Sequence, residues 1–123
     1  MKKLFILSIV VLTFFAISGC DDDCDDIISY HYVDVPPTAP QGVTSVTGNN
    51  AVTVLWDGLY DVDVYEYVVY RSDEPIDNYE PIGYVDPYPR PSTNIYGYTD
   101  NTAHNGYTYY YAVAAIDSAG QSS

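Results

Sequence analysis

The hydrophobic pattern of the chain changes character twice. Residues 4–17 are apolar except for Ser8 and Thr13, residues 21–40 are rich in aspartate, tyrosine and proline, and residues 41–117 alternate between apolar and polar positions. As a helix, the first run would be about 21 Å long at about 1.5 Å per residue, whereas a bilayer core requires about 20 residues. The run is short for a membrane-spanning helix and typical of the apolar part of a secretory signal peptide.

The last part of the chain shows the period of two that is typical of β-strands. Turn-forming sequences such as GNN, SDEP and DNTAHNG separate the alternating segments, and no segment of useful length has a helical period. Short strands at this spacing predict an all-β antiparallel sandwich, and about 85 residues suffice for one modest core. The residues predicted to share a face are Val52, Val54 and Trp56; Tyr65, Tyr67 and Val69; and Tyr107, Tyr109, Tyr111, Val113 and Ala115.

The end of the apolar run carries a short motif. Two lysines precede the run, and Ser18 and Gly19 separate it from Cys20. The tetrapeptide ISGC that ends at this cysteine resembles the lipobox of bacterial lipoproteins. The resemblance implies a signal peptide over residues 1–19, acylation of the Cys20 sulfur with palmitate-like chains, and a stable membrane anchor, since two or more acyl chains hold a protein firmly. An ordinary signal peptide followed by an incidental cysteine is the alternative.

Acidic residues dominate the charge of the chain. The formal net charge is −13, and the two lysines that precede the apolar run would leave with a signal peptide. Such a chain is repelled by nucleic acids and by anionic headgroups, so we expect no nucleic-acid partner. The run DDDCDD has no partner charges nearby and predicts an extended, self-repelling spacer. Residues 20–37 therefore form a lipidated, acidic and proline-containing tether in this prediction.

The aspartates after Cys20 also resemble sorting signals. Asp21 alone resembles the inner-membrane retention signal of enterobacterial lipoproteins, whereas an acidic cluster resembles the surface-export signal of Bacteroidetes lipoproteins. The density of aspartates over residues 21–26 favours the second resemblance. The expected location is the bacterial cell envelope, at the outer membrane or cell surface rather than at the periplasmic face of the inner membrane.

The order of motifs from residue 38 onward resembles a fibronectin type III (Fn3) domain of the bacterial extracellular kind. PTAPQGVTSVTGNNAVTVLWD is followed by YEYVVYRSDEP and by NGYTYYYAVAAIDSAGQSS. The resemblance implies an immunoglobulin-like sandwich over residues 38–123. It identifies Trp56 as the buried tryptophan of strand B and Tyr109 as the tyrosine that opens strand F. The remaining signature positions are Tyr67 and Val69 on strand C, and Tyr111, Val113 and Ala115 as the inward row of strand F.

The same resemblance points to one departure from the family pattern. In the family a strand G follows the DSAG turn and pairs with strand F, whereas this sequence ends at Ser123. We expect strand G to be missing or truncated and the edge of strand F to be open to a strand-pairing partner. Three explanations stay open: a fragment of a longer gene, which we favour; a strand donated by a partner; or coverage by residues 28–35, which alternate like a strand.

Catalytic groups lack the partners that catalysis requires. His31 lies in the tether and His104 in a predicted turn, and no motif links either one to a serine or to Cys24. The aspartates around Cys24 disfavour its thiolate, and no second thiol remains for a disulfide once Cys20 is lipidated. We expect no enzyme activity, no catalytic residue, no cofactor and no metal. A calcium site is the weaker alternative, with Asp57, Asp61 and Asp63 as its residues.

Tyrosine is the residue in excess, at 15 of 123 positions. Tyr70 on strand C and Tyr110 on strand F are predicted to lie on the outer face of one sheet, with Tyr84 beside them. Rigid tyrosines suit contact with protein or carbohydrate, but cross-strand pairs that stabilise an exposed face are an alternative. The sequence thus predicts a membrane-anchored, non-catalytic Fn3-like module for adhesion or interaction. A structural spacer, or a fragment of a longer surface protein whose activity lies beyond Ser123, is the alternative.

Overall fold

Six β-strands account for most of the chain that can be described. The structure is a computed structural model that describes residues 33–60 and 63–123, and residues 33–123 form one compact unit. The predicted signal peptide, Cys20 and most of the tether lie outside the described residues. The strands are β1 (Gln41–Gly48), β2 (Ala51–Asp57), β3 (Val64–Ser72), β4 (Glu80–Val85), β5 (Ile95–Asp100) and β6 (Tyr110–Asp117).

These strands form two antiparallel sheets that confirm the predicted all-β sandwich. The first sheet has the order β1-β2-β5 and the second sheet has the order β4-β3-β6. Strands β2 and β3 are consecutive in sequence but belong to different sheets, and this crossing is what lets the two inner faces enclose a core. Within the described residues, no helix has the length and apolar character needed to cross a membrane.

An aromatic cluster fills the centre of the sandwich. The rings of Trp56 on β2 and Tyr67 on β3 meet edge to face at 5.6 Å between centroids, and Tyr96 on β5 lies 5.0 Å from Tyr67. Each such pair contributes about 0.5–1.5 kcal/mol beyond the burial of its area. Val54 and Ala115, both fully buried, complete the contact between the sheets.

Two residues of the predicted rows do not point into this core. The pairing of β3 with β6 shifts register between Val64 and Glu66, and such a bulge turns the next side chain to the opposite face. Val64 is therefore buried, while Tyr65 is 62% exposed. The prediction for Tyr107 was also wrong, because β6 begins only at Tyr110 and Tyr107 lies in the preceding loop.

A close approach between the sheets occurs at Gly83 on β4. The ring of Tyr98, from the first sheet, occupies the space where a Cβ atom of residue 83 would lie. The Tyr98 hydroxyl donates a hydrogen bond of 2.6 Å to the carbonyl of Ile82. Glycine is required here because only a residue without a side chain lets the tyrosine ring reach the opposite backbone.

The last described residues fold back along β6. After a turn at residues 118–120, Ser122 forms an isolated antiparallel bridge with Ile116. The backbone N–H of Ser123 donates to the carbonyl of Ala115 at 2.9 Å. The described residues thus contain this bridge and no seventh strand, at the position where strand G would pair with strand F.

Candidate functional site

A groove of about 330 Å³ opens between the β1–β2 hairpin and the loop that leads from β5 to β6. We refer to it as the end groove, and its principal lining residues are Ser45, Thr47 and Val52 on one wall and His104, Tyr107 and Tyr109 on the other. Alternation along β1 places Ser45 and Thr47 on the same face of that strand. Their exposed hydroxyl groups therefore line one side of the groove, opposite an aromatic side.

The aromatic wall is built around Tyr107, which is 73% exposed. Its ring stacks on Tyr109 with 6.4 Å between centroids and an interplanar angle of 27°, and the His104 ring meets it edge-on at 6.3 Å. The Tyr109 hydroxyl accepts a hydrogen bond from the backbone N–H of His104 at 3.3 Å. These contacts restrict the orientation of Tyr107 while leaving much of its surface accessible to a ligand.

Amide side chains hold the two walls of the end groove together. The backbone N–H of Asn50 donates to the side-chain oxygen of Asn105 at 2.9 Å, and the backbone N–H of Asn105 donates to the side-chain oxygen of Asn50 at 3.0 Å. Asn105 also donates to the side chain of Asn49 at 2.7 Å. Asn50 adopts a φ of 50°, which asparagine tolerates better than most residues. The hairpin turn and the loop are therefore fixed relative to each other.

A buried carboxylate lies behind the aromatic wall. Asp100 at the end of β5 is 2% exposed and accepts hydrogen bonds of 2.9 Å from both the Arg71 guanidinium and the Tyr111 hydroxyl. Thr102 donates to its other oxygen from the backbone and the hydroxyl, at 2.9 and 2.6 Å. Burial alone raises the pKa of Asp100, but these hydrogen bonds outweigh it and lower the pKa to about 2.

This carboxylate network is structural and supports the groove. Asp100 belongs to the first sheet, whereas Arg71 and Tyr111 belong to the second, so the hydrogen bonds join the two sheets. Burial and the adjacent Asp100 carboxylate raise the pKa of Tyr111, which keeps its proton available for this bond. Arg71 also lies 4.9 Å from the ring centroid of Tyr109, so the network positions the inner aromatic residue of the groove.

The tyrosines predicted as a contact face lie elsewhere, on the outer face of the second sheet. Tyr84 is paired with Val68 and Tyr110 is paired with Ser72, and both β3 residues are two positions from Tyr70. Directly opposed residues in an antiparallel sheet share a face, so the registers bring these three tyrosines to one side. Tyr84 is 64% exposed and Tyr110 is 36% exposed. A shallow depression lies beside Tyr70 and is also lined by Tyr79, Ala112, Ala114, Ser122 and Ser123.

Most of the residues that carry the resemblance to Fn3 domains lie in the core. Trp56, Tyr67, Val69 and Ala115 are each at most 1% exposed. Val113 is half-buried against them, whereas Tyr109 precedes β6 and belongs to the end groove. The end groove itself was missed from the sequence, although a histidine and several tyrosines flanking a Gly-containing turn were a visible signal.

The comparisons with known proteins agree with an Fn3-like fold. An Fn3-like protein from Clostridium thermocellum is similar in structure, with a TM-score of 0.58 and 24% identity over 72% of this chain and 84% of that chain. Pectate lyase Pel3 from Pectobacterium carotovorum is similar with a TM-score of 0.54 and 22% identity, over 66% of this chain and 24% of that chain. These likenesses, together with the two antiparallel sheets, show that the described residues have an Fn3-like fold.

The similarity found by sequence covers only a short part of the matched protein. An amylopullulanase from Thermoanaerobacterium thermosulfurigenes is 33% identical over 84 residues, which are 68% of this chain and 4% of that protein. The chain thus spans a small fraction of the length of this curated relative. No protein-family model matches the sequence.

Proposed function

We propose that this Fn3-type domain is a non-catalytic module that binds carbohydrate in the end groove. The observation that carries the proposal is the exposed Tyr107 ring, held by Tyr109 and His104 across from the Ser45 and Thr47 hydroxyls. A fixed aromatic ring offers an apolar surface to the C–H face of a sugar, and hydroxyl groups exchange hydrogen bonds with its edge. The groove volume of about 330 Å³ lies at the lower end of the range for small-ligand sites.

The charge of the chain favours a neutral glycan. A net charge of −13 repels acidic polysaccharides, and Arg71, which lies 4.9 Å from the ring centroid of Tyr109 in the groove, is already paired with Asp100. The relative that is 33% identical is an amylopullulanase, a name that points to amylose and pullulan. Neutral glucans are therefore the first ligands to test, with polygalacturonate as the acidic comparison.

Binding is tested by electrophoresis of the protein through gels that contain pullulan, soluble starch or polygalacturonate. We expect the neutral glucans to retard the native chain and Tyr107→Ser to abolish the retardation, because the substitution removes the exposed ring. Tyr84→Ser is the matched control, since Tyr84 is exposed to a similar extent on another face. Retardation that survives in Tyr107→Ser and disappears in Tyr84→Ser would contradict the end groove and favour the outer face of the second sheet.

We also propose that Cys20 anchors the module to the bacterial cell envelope. The support is the lipobox-like ISGC sequence after an apolar run, and the aspartates that follow favour the outer membrane or cell surface. Protease treatment of intact host cells tests the location. Loss of the protein from intact cells is expected, and protection until lysis would contradict surface exposure. Cys20→Ser should release the chain from the membrane fraction.

A structural spacer is the second candidate function. Its support is that the similar segment is 4% of the amylopullulanase and 24% of pectate lyase Pel3, so comparable segments occupy small parts of larger proteins. A spacer needs no ligand, and failure of the native chain to bind any glycan or protein would favour it. Release of reducing sugar from pullulan by the purified chain would contradict both the spacer and the non-catalytic module.

A further inference from the structure

Three carboxylates meet at the end of the sandwich opposite the end groove. Asp34 lies in the segment that precedes β1, Asp63 directly precedes β3, and Asp117 is the last residue of β6. One carboxylate oxygen from each residue lies within 4.8 Å of the corresponding oxygens of the other two. We name this group the acidic trio. Its members are 29 or more positions apart in sequence, so the fold and not a local run brings them together.

Asp117 supplies an independent sign that a ligand belongs at the acidic trio. The side chain is 1% exposed, and its Oδ1 accepts a hydrogen bond from the backbone N–H of Gln121 at 2.7 Å. Its Oδ2 is buried and has no hydrogen-bond partner within residues 33–60 and 63–123. A buried carboxylate oxygen without a partner is costly, because it has lost water and gained nothing in exchange.

The arginine side chains of the described residues interact with groups outside the acidic trio. Arg71 forms an ion pair with Asp100, and Arg90 donates to Asn94 and lies 5.3 Å from the ring centroid of Tyr60. Among the residues that the structure describes, these two are the only lysine or arginine side chains. Among residues 33–60 and 63–123, no lysine or arginine side chain therefore neutralises the acidic trio.

We propose that the acidic trio is a Ca²⁺ site. Ca²⁺ binds oxygen ligands at about 2.3–2.6 Å, so two oxygens on opposite sides of the ion are about 4.6–5.2 Å apart, and oxygens within 4.8 Å of one another fit around one ion. Mg²⁺ requires shorter bonds of about 2.0–2.1 Å and a stricter octahedral arrangement. Three carboxylates leave positions for water and backbone carbonyls, and the Ser118 hydroxyl orients Asp63 by a hydrogen bond of 2.8 Å to its Oδ1.

Binding at this site would connect the segment before β1 to the body of the sandwich. Asp34 lies among residues 33–40, which have no regular secondary structure, whereas Asp63 and Asp117 adjoin paired strands of the second sheet. An ion shared by all three residues ties that segment to the ends of β3 and β6. The ligand chemistry is independent of the carbohydrate proposal, since the end groove and the acidic trio share no residue.

The test uses the full-length chain in mild detergent, freed of metal by EDTA and titrated calorimetrically with CaCl₂. We expect one Ca²⁺ per chain with a Kd of about 0.1–1 mM, the range of extracellular calcium modules, and a rise in Tm with CaCl₂. Asp34→Asn and Asp63→Asn should each weaken binding by about tenfold or more and remove the rise in Tm. Asp73→Asn, an exposed acidic residue outside the trio, is the matched control and should behave like the native chain.

Two results would overturn the proposal. Absence of binding and of a Tm change in the native chain would exclude the site. Undiminished binding by the Asp34→Asn, Asp63→Asn double variant would assign the ion to the aspartates of residues 21–26 instead. A second readout locates the ion: hydrogen exchange at residues 33–35 should slow with CaCl₂ in the native chain and stay unchanged in Asp63→Asn. Both substitutions are made at exposed side chains, so neither one replaces the buried Asp117.

Discussion

Replacement of Asp100 by asparagine tests the buried carboxylate that joins the two sheets. The substitution keeps the shape of the side chain but removes the charge that accepts hydrogen bonds from Arg71 and Tyr111. Arg71 then faces a neutral amide and loses the ion pair of 2.9 Å. Because Arg71 also contacts Tyr109, the change should reach the aromatic wall of the end groove as well as the core.

The lowered pKa of Asp100 gives both the direction of the pH dependence and the size of this side chain's contribution to the free energy of unfolding. The pKa falls from 3.8 to about 2 on folding, because the hydrogen bonds outweigh the burial that raises it. The unfolded chain therefore binds this proton more readily, and the stabilisation is present above about pH 4 and lost as the pH falls toward 2. At about 1.4 kcal/mol per pKa unit, the charged side chain contributes about 2 kcal/mol at neutral pH.

Urea unfolding monitored by the fluorescence of Trp56 measures this contribution. We expect the native chain to exceed Asp100→Asn in free energy of unfolding by about 2 kcal/mol at neutral pH, and the difference to shrink steadily below about pH 4. Comparing the two proteins at each pH cancels the titration of the other acidic residues. Asp73→Asn, at an exposed position, should stay close to the native chain throughout. A difference for Asp100→Asn that does not change with pH would refute the role assigned to its charge.

Three further substitutions test other contacts in the fold. Gly83→Ala should lower the free energy of unfolding by about 1–3 kcal/mol, because the added methyl group overlaps the Tyr98 ring. Gly48→Ala, at an exposed position with room for a Cβ, is the control and should change the stability little. Equal effects of the two substitutions in thermal melts would contradict the overlap. Asn105→Ala should cost about 1–2 kcal/mol and weaken glucan retardation, since it releases the hairpin from the loop. Tyr67→Phe should cost about 1 kcal/mol in urea unfolding, as it removes the acceptor of the Leu59 N–H; an unchanged stability would argue against that bond.

Strand β2 was predicted correctly because its side chains alternate without a break in the register with β5. On β2 the alternation of Val54 and Trp56 with Thr53 and Leu55 left one inward face, and the structure has that face in the core. On β3 the neighbouring Val64 and Tyr65 are both suited to a buried position. The sequence therefore could not reveal the bulge that exchanges them, which is set by pairing with β6.

The sites were harder to predict because they depend on contacts between distant parts of the chain. The end groove requires Ser45 and Thr47 of β1 to face Tyr107, about sixty positions later in the sequence. The calcium alternative drawn from the sequence grouped residues close in the chain, yet the fold brings Asp63 together with Asp34 and Asp117. Asp57 instead adjoins Gly42, and Asp61 lies outside the described residues.

Strand β6 sets a distance between the two ends of the domain. It runs for eight residues from Tyr110, beside the end groove, to Asp117 in the acidic trio, and the seven steps between these residues span about 23 Å at about 3.3 Å per residue. Because Asp34 is at the trio, the polypeptide enters the sandwich at the end farthest from the groove. A sugar bound at Tyr107, as proposed above, would therefore lie about one strand length from Asp34. In the carbohydrate proposal, the length of β6 thus sets the separation between the bound sugar and the point where residues 33–40 join the sandwich.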